Sequence, residues 1–383
     1  MHILIIPSWY PAKPGDIVGS FFREQAIAIH NKGIKVGVIA PMIRSIRGYC
    51  NILAGFGLQK EIDKGVATYR FKSLNITPRF NKLLRYHWLL LGCRLFKEYV
   101  KEHGFPDIVH VHSMDKGIFL AHQIYQRYGI PYLITEHSTA FAQGLVSTAL
   151  LSELEGPVIR AKKRIAVSQP FARLLEKHFP GTKWDYVPNI VSQRFLDFNE
   201  RKVVGRGFRF LNICFLTEKK RIDNLIKAFS ILHRDYTDIQ LIIGGDGPCR
   251  KHLEQLSVSL GVESNVKFIG MLSRNQVVEE MASSNAFVLS SDYETFGVVL
   301  VEALALGKPV IATRCGGPES IVNEEVGCLV EKNNVEALYE GMKSIYEHEY
   351  DRSKIKNYCV ENFSERAVVE KLEEIYCEIL MMK

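Results

Sequence analysis

The chain has 383 residues, 47% apolar and 24% charged, with a formal net charge of +7. That composition excludes a disordered or fibrous protein, and the length exceeds what one ordinary hydrophobic core fills, so two domains of similar size are expected. No apolar run reaches the length of a bilayer span.

Met1-His2-Ile3-Leu4-Ile5-Ile6 has neither the basic flank nor the cleavage site of a secretory leader, and reads as a first strand. The first half then alternates strand-like and helix-like runs. A strand at His2–Ile6 is followed by a helix at Ser20–Lys32 and strands at Val36–Ile39 and Val66–Phe71. A long helix at Lys82–Lys101 precedes a strand at Ile108–Val111, a helix at Lys116–Gly129 and a strand at Tyr132–Ile134. A strand at Ile165–Val167 and a helix at Pro170–His178 complete this half. Such alternation predicts a parallel sheet covered by helices.

The polar, glycine-bearing segment 199–209 is the expected linker. After it the pattern restarts, with strands at Phe210–Phe215, Ile239–Ile243, Val266–Ile269, Ala286–Leu289 and Val310–Ala312. Helices are expected at Ile222–Leu232, Arg250–Leu260, Asn275–Ala282 and Phe296–Leu306. The fold class is therefore α/β, with two doubly wound Rossmann-like domains, 1–198 and 199–363, facing a central cleft. Ser364–Met382 has the apolar spacing of an amphipathic terminal helix, with Ser364 as its N-cap.

The charge is uneven. Residues 1–195 carry 26 Lys and Arg against 13 Asp and Glu, while the remainder carries 23 against 29. A basic first half suits an anionic acceptor or an anionic membrane surface, and a solvated basic surface explains it equally well. The helix at Lys82–Lys101, with Trp88 among Lys82, Arg85, Arg94, Lys97 and Lys101, fits either a membrane surface or the sheet. Eight scattered cysteines, none close enough in sequence for a metal knuckle or redox pair, suggest reduced thiols in the cytoplasm.

Chemistry concentrates in the second half. Gly244-Gly245-Asp246-Gly247-Pro248 after a strand permits close backbone approach, with Pro248 suited to the first helical position. Its spacing is neither a dinucleotide fingerprint nor a Walker loop. Lys219-Lys220-Arg221 follows another strand, where cations oppose the helix dipole unless they face an anion. Asp292-Tyr293-Glu294-Thr295-Phe296-Gly297 opens a helix whose first amides can hold phosphate oxygens. Glu302 lies eight residues beyond Glu294, about 12 Å along a helix axis at 1.5 Å per residue. A carboxylate among Val298, Val299, Leu300, Val301, Ala303 and Leu304 is costly unless paired or facing a ligand. His110 and His112, two apart on a strand, share one face. That spacing fits strand-end histidines better than a metal pair, because no third ligand is evident.

The Glu-x7-Glu pattern, with Phe296-Gly297 inside it and Gly307-Lys308-Pro309-Val310-Ile311-Ala312-Thr313 after it, resembles the retaining glycosyltransferases of family 4, which have the GT-B fold. So do Pro7-Ser8-Trp9-Tyr10-Pro11, Gly19-Ser20-Phe21-Phe22-Arg23-Glu24, Thr135-Glu136-His137, Gly245-Asp246-Gly247-Pro248 and Gly316-Gly317-Pro318-Glu319. The resemblance covers the whole chain and implies that the terminal helix crosses back to the N-terminal domain.

It also implies transfer of a sugar from a UDP- or GDP-sugar to a saccharide or lipid-linked acceptor in cell-surface polysaccharide, lipopolysaccharide or glycolipid synthesis. No metal, other cofactor or nucleic acid would be needed, and the enzyme would be cytoplasmic or peripheral on the inner membrane face. Glu294, Lys220 and His137 would be catalytic. Gly19, Lys219, Gly245, Gly247, Met271, Phe296, Gly297, Val298 and Glu302 would hold the donor: Glu302 at the ribose, Phe296 to Val298 at the diphosphate, and the backbone near Gly270 and Met271 at the base. One departure stands out. The family usually has Gly-Arg shortly before the lysine, and this chain has Cys214-Phe215. Lys219 or Arg221 would then compensate, or the phosphate clamp is weaker. A nucleotide-sugar epimerase of the same architecture and a catalytically silent sugar-binding subunit stay open at this point.

Overall fold

All six residues of the first strand, β1 (His2–Pro7), are buried, as a parallel strand covered on both faces requires. Ile3 and Ile5 pack with Phe22, Ala26 and Ile29 of α1 (Ser20–Asn31), whereas Ile6 lies against Gly117. The computed structural model describes residues 1–13, 16, 18–44, 55–75, 80–198 and 207–382. Residues 199–206 of the expected linker, and Cys50, lie outside them. The chain forms two units, one comprising Met1–Val167, Ala172–Ile190 and the chain from Val368 onward, the other Ser168–Phe171 and Val191–Ala367.

The first unit continues with β2 (Lys35–Arg44), β3 (Gly57–Asp63), β4 (Val66–Leu74), α2 (Asn81–His103), β5 (Ile108–His112) and α3 (Gly117–Tyr128). β6 (Tyr132–Glu136), α4 (Thr148–Arg160), β7 (Lys163–Ala166), α5 (Gln169–His178) and β8 (Asp185–Tyr186) follow. Its sheet runs β3-β4-β2-β1-β5-β6-β7-β8, parallel except for the β3–β4 hairpin. The sequence pattern misses β3, α4 and β8 for separate reasons. β3 is an edge strand with only Asp63 buried, so it carries no apolar run. α4 contains Gly156 and Pro157, ordinarily breakers, yet Ser147 Oγ caps it by accepting from the Leu150 amide at 3.3 Å. β8 has two residues.

Trp88 of α2 turns inward. It is 2% exposed and donates from Nε1 to the Pro41 carbonyl at 3.0 Å. Arg85 pairs with Glu153, and Arg94 lies over the Phe71 ring at 4.9 Å. The tryptophan and two of the arginines expected to make a membrane-facing edge are therefore engaged within the protein. Among the described residues no helix is long and apolar enough to cross a membrane.

The second unit begins with α6 (Gln193–Leu196) and β9 (Phe208–Ile213), a 3₁₀ turn at Glu218–Lys220, α7 (Ile222–Asp235), β10 (Ile239–Gly244) and α8 (Arg250–Ser259). Next come β11 (Val266–Gly270), α9 (Arg274–Ala282), β12 (Ala286–Leu289), α10 (Val298–Ala305) and β13 (Val310–Thr313). β14 (Gly327–Val330), α11 (Val335–Glu347) and α12 (Arg352–Phe363) close it. The six strands are all parallel, in the order β11-β10-β9-β12-β13-β14. In chain order that is third, second, first, fourth, fifth, sixth. The topology reverses between β9 and β12, which places a crevice outside their carboxyl ends. The last helix, α13 (Glu365–Met381), buries Val368, Val369, Leu372, Tyr376 and Ile379 in the core of the first unit.

Candidate active site

The two loops at that topological reversal carry Lys220 and Glu294. Lys220 ends the 3₁₀ turn, its amide donating to the Thr217 carbonyl at 3.0 Å. Glu294 is held by its backbone: its amide donates to the Cys315 carbonyl at 3.2 Å, and its carbonyl accepts from the Gly317 amide at 2.7 Å. Gly317 must lack a side chain there, because a Cβ would stand 2.3 Å from the Phe296 carbonyl oxygen. The Lys220 ammonium donates to Glu294 Oε1, which also accepts from Ser291 Oγ at 2.9 Å. Burial pulls the Lys220 pKa down, but Glu294 outweighs it and the pKa stands above the ordinary lysine value. Burial also pushes the nearby thiols of Cys214 and Cys315 up to about 12, leaving them neutral beside the pair.

α10 starts at Val298, two residues later than the expected Phe296, because Gly297 is its N-cap at φ 101°. A glycine cap brings no side-chain acceptor: the Leu300 amide turns back to the Gly297 carbonyl at 2.9 Å, and no side chain caps the amides of Val298 and Val299 ahead of it. Phe296 itself packs inward, 2% exposed, with its ring edge-on to Phe363. Glu302, 1% exposed, is paired: Arg274 Nη1 donates to Oε1 at 2.7 Å, and the guanidinium lies 5.2 Å from the Phe195 ring centroid. Sequence reading finds the need for a partner but not Arg274, which reaches Glu302 from the start of another helix.

The glycine loop serves the loop after β9. A Cβ at Gly245, where φ is 116°, would lie 1.8 Å from the Cys214 carbonyl oxygen, and one at Gly247 would lie 2.4 Å from that of Leu216. Packing thus accounts for both glycines. Pro248 is not at the first helical position, since Cys249 caps α8 and Pro248 precedes the cap. Gly270 accepts the Gly245 amide at 2.7 Å, and Met271 beside it is 64% exposed.

Lys219 and Arg221 diverge from Lys220. Lys219 lines a cavity of about 690 Å³ together with Thr217, Pro248, His252 and Asp292. Arg221 is fully engaged by Asp223, Asn224, Asn333 and Asp292. Its guanidinium lines the same cavity, held by these partners, and Phe215, where the resemblance puts an arginine, is 61% exposed.

In the first unit, Gly19 caps α1 at φ 76°, with Tyr10 and Pro11 within 3.2 Å of where its Cβ would be. Phe21 and Phe22, which follow it, lie 5.3 and 4.9 Å from the His137 ring. The structure thus brings Gly19 and His137 to one locale. His137 Nε2 faces His112 Nδ1 at 3.1 Å, and burial lowers the His137 pKa well below the ordinary value. His110 stacks on His112 with centroids 4.2 Å apart and meets Tyr376 and Thr135, each at 2.7 Å. Glu136, wholly buried, accepts amides from Met114, His137 and Ser138 at 2.6–2.8 Å. Burial still raises its pKa to about 7.

Two parallel-sheet Rossmann-like units, with cation, carboxylate and helix amides at the crevice of the second, define a GT-B architecture. Two families match the chain in succession: Glycosyltransferase Family 4 over residues 18–194 and Glycosyl transferases group 1 over residues 195–362. An uncharacterized glycosyltransferase of Methanocaldococcus jannaschii is 27% identical over 85% of this chain and 81% of its own. Sucrose-phosphate synthase of Thermosynechococcus elongatus has a similar fold, with a TM-score of 0.77 and 18% identity over all of both chains. So does Anabaena HepE, solved with UDP and glucose, at a TM-score of 0.73 and 17% identity over 99% of this chain and 100% of that one. The chain belongs to the family 4 glycosyltransferases of GT-B fold.

Proposed function

We propose that the protein moves a sugar from a UDP- or GDP-sugar to a hydroxyl of a saccharide or lipid-linked acceptor, with retention at the anomeric carbon. The observation that carries this reading is the Lys220–Glu294 pair at the crevice of the second unit, beside the uncapped amides of α10. Lys220 and the amides of Gly297 and Val298 would neutralise the departing diphosphate without requiring a metal ion. Glu302, oriented by Arg274, would take the ribose, and Glu294 the hydroxyls of the sugar. The basic balance of residues 1–195 favours an acceptor that is anionic or carries a lipid-linked phosphate.

The engagement of the carboxylates favours a same-face route to retention over double displacement. Glu294 is tied to Lys220 and Ser291, and Glu302 to Arg274, so neither is placed as a nucleophile for double displacement. In the proposed step the acceptor oxygen bonds to the anomeric carbon on the face the phosphate leaves. The bond from that carbon to the phosphate oxygen breaks, and the acceptor's proton passes to that oxygen.

A thermal-shift panel of UDP- and GDP-sugars identifies the donor, since a ligand at about 100 times its dissociation constant adds roughly 2.7 kcal/mol. Product linkage read by proton NMR coupling at the anomeric centre then tests retention. The reading is overturned if no nucleotide sugar shifts the melt, or if Lys220→Ala transfers sugar at the parent rate.

A further inference from the structure

Arg221 is the residue after Lys220, and it sits where arginine is costly. Its backbone is left-handed, φ 49° and ψ 41°, joining the end of the 3₁₀ turn to the start of α7. A side chain in that conformation is strained, and glycine would relieve it. The guanidinium offers five N–H donors; it makes four hydrogen bonds and one longer charge contact. Nε donates to Asp223 Oδ1 at 3.1 Å, and Nη2 to Asp223 Oδ2 at 3.1 Å and Asn224 Oδ1 at 3.2 Å. Nη1 donates to Asn333 Oδ1 and lies 3.7 Å from Asp292 Oδ2. Asn333 is itself left-handed, at φ 57°. One side chain therefore joins the loops that follow β9, β12 and β14. Two further bonds run beside it: the Asp292 amide donates to the Lys219 carbonyl at 2.8 Å, and Ser290 Oγ to the Lys220 carbonyl at 2.8 Å.

We propose that Arg221 is a positioning residue, holding the Lys220 turn in register with the Asp292–Gly297 loop so that the ammonium and the first amides of α10 converge on one diphosphate. This rests on the reading of Lys220 as a phosphate ligand. The arginine touches no substrate, and its effect passes through Lys220 and Asp292. The strained backbone is retained because the side chain it presents fastens the site.

The test uses the full chain with Arg221→Gly, Arg221→Lys and, as a control on the underlying reading, Lys220→Ala. Glycine accepts the backbone conformation and deletes the fastening, so fold damage is minimised. UDP and GDP are the binding probes, by calorimetry. Hydrogen exchange is followed at the amides of residues 292–299 and of the core strand β10. The expected result is that Arg221→Gly weakens nucleotide binding about tenfold and quickens exchange at 292–299 by at least tenfold, with β10 unchanged. Arg221→Lys recovers only part, because one ammonium cannot span Asp223, Asn333 and Asp292. Parent-like exchange at 292–299 in Arg221→Gly overturns the proposal, and so does equal acceleration in β10, which marks general destabilisation. Parent-like nucleotide affinity in Lys220→Ala sinks the phosphate-ligand reading instead, while the exchange arm still decides whether Arg221 orders the loop.

Discussion

Replacing Glu294 by glutamine should separate binding from turnover. The Lys220 ammonium is balanced by Glu294, and the two side chains are only 19% and 14% exposed. Two unit charges about 4 Å apart at an effective dielectric near 20 attract by roughly 4 kcal/mol. A diphosphate arriving at Lys220 must compete with that attraction. Glutamine keeps the shape and removes the competing charge, and it leaves a largely buried cation that a phosphate then neutralises. If half of the gross attraction is recovered, about 2 kcal/mol, UDP or GDP binds roughly 30-fold more tightly. Transfer falls on the order of 100-fold, because the amide cannot stabilise charge developing at the sugar. Calorimetry with both nucleotides and steady-state turnover on the donor found by thermal shift measure the two effects. A folded Glu294→Gln protein that binds both nucleotides no better than its parent would refute the argument that the ion pair guards the phosphate site.

Three further outcomes follow from the geometry. Arg274→Met removes the guanidinium that neutralises the buried Glu302 carboxylate and should cost about 3 kcal/mol in stability, largely restored by Glu302→Gln in the same chain; paired thermal melts decide it. Gly245→Ala drives a Cβ into the Cys214 carbonyl at a left-handed φ and should cost at least about 3 kcal/mol, read as a lowered melting temperature and loss of nucleotide binding. Glu136, raised to about 7 by burial, holds its proton more tightly folded than unfolded. Its contribution is therefore complete below the ordinary value of 4.5 and is lost as pH rises through about 7. That shift corresponds to about 3 kcal/mol at 1.36 kcal/mol per unit. Melting temperature between pH 4.5 and 8 should fall less steeply in Glu136→Gln, and an unchanged slope would remove the assignment.

Much of the fold is legible in local pattern. The strand at Ala286–Leu289 matches expectation residue for residue, since four consecutive buried apolar positions flanked by polar ones leave no other placement. Elements whose stability comes from elsewhere were not legible. β3 pairs at an edge, and α4 carries its own breakers. β14, α11 and α12 lie beyond the last motif, where no spacing signal was recognised. In the site, Glu302 announced itself as a carboxylate in an apolar helix, whereas Arg274, 28 residues earlier, carried no mark of being its partner.

The sequence by itself determined the α/β alternation and the family, because backbone preference and burial are encoded within a few residues. Only the tertiary structure decided which charges neutralise one another. Lys220 meets Glu294 from 74 residues away, while its neighbour Arg221 is spent on Asp223, Asp292 and Asn333. Strand order sets those meetings, since β9 and β12 become neighbours only when the sheet assembles, and Coulomb attraction acts on distance through space and not along the chain.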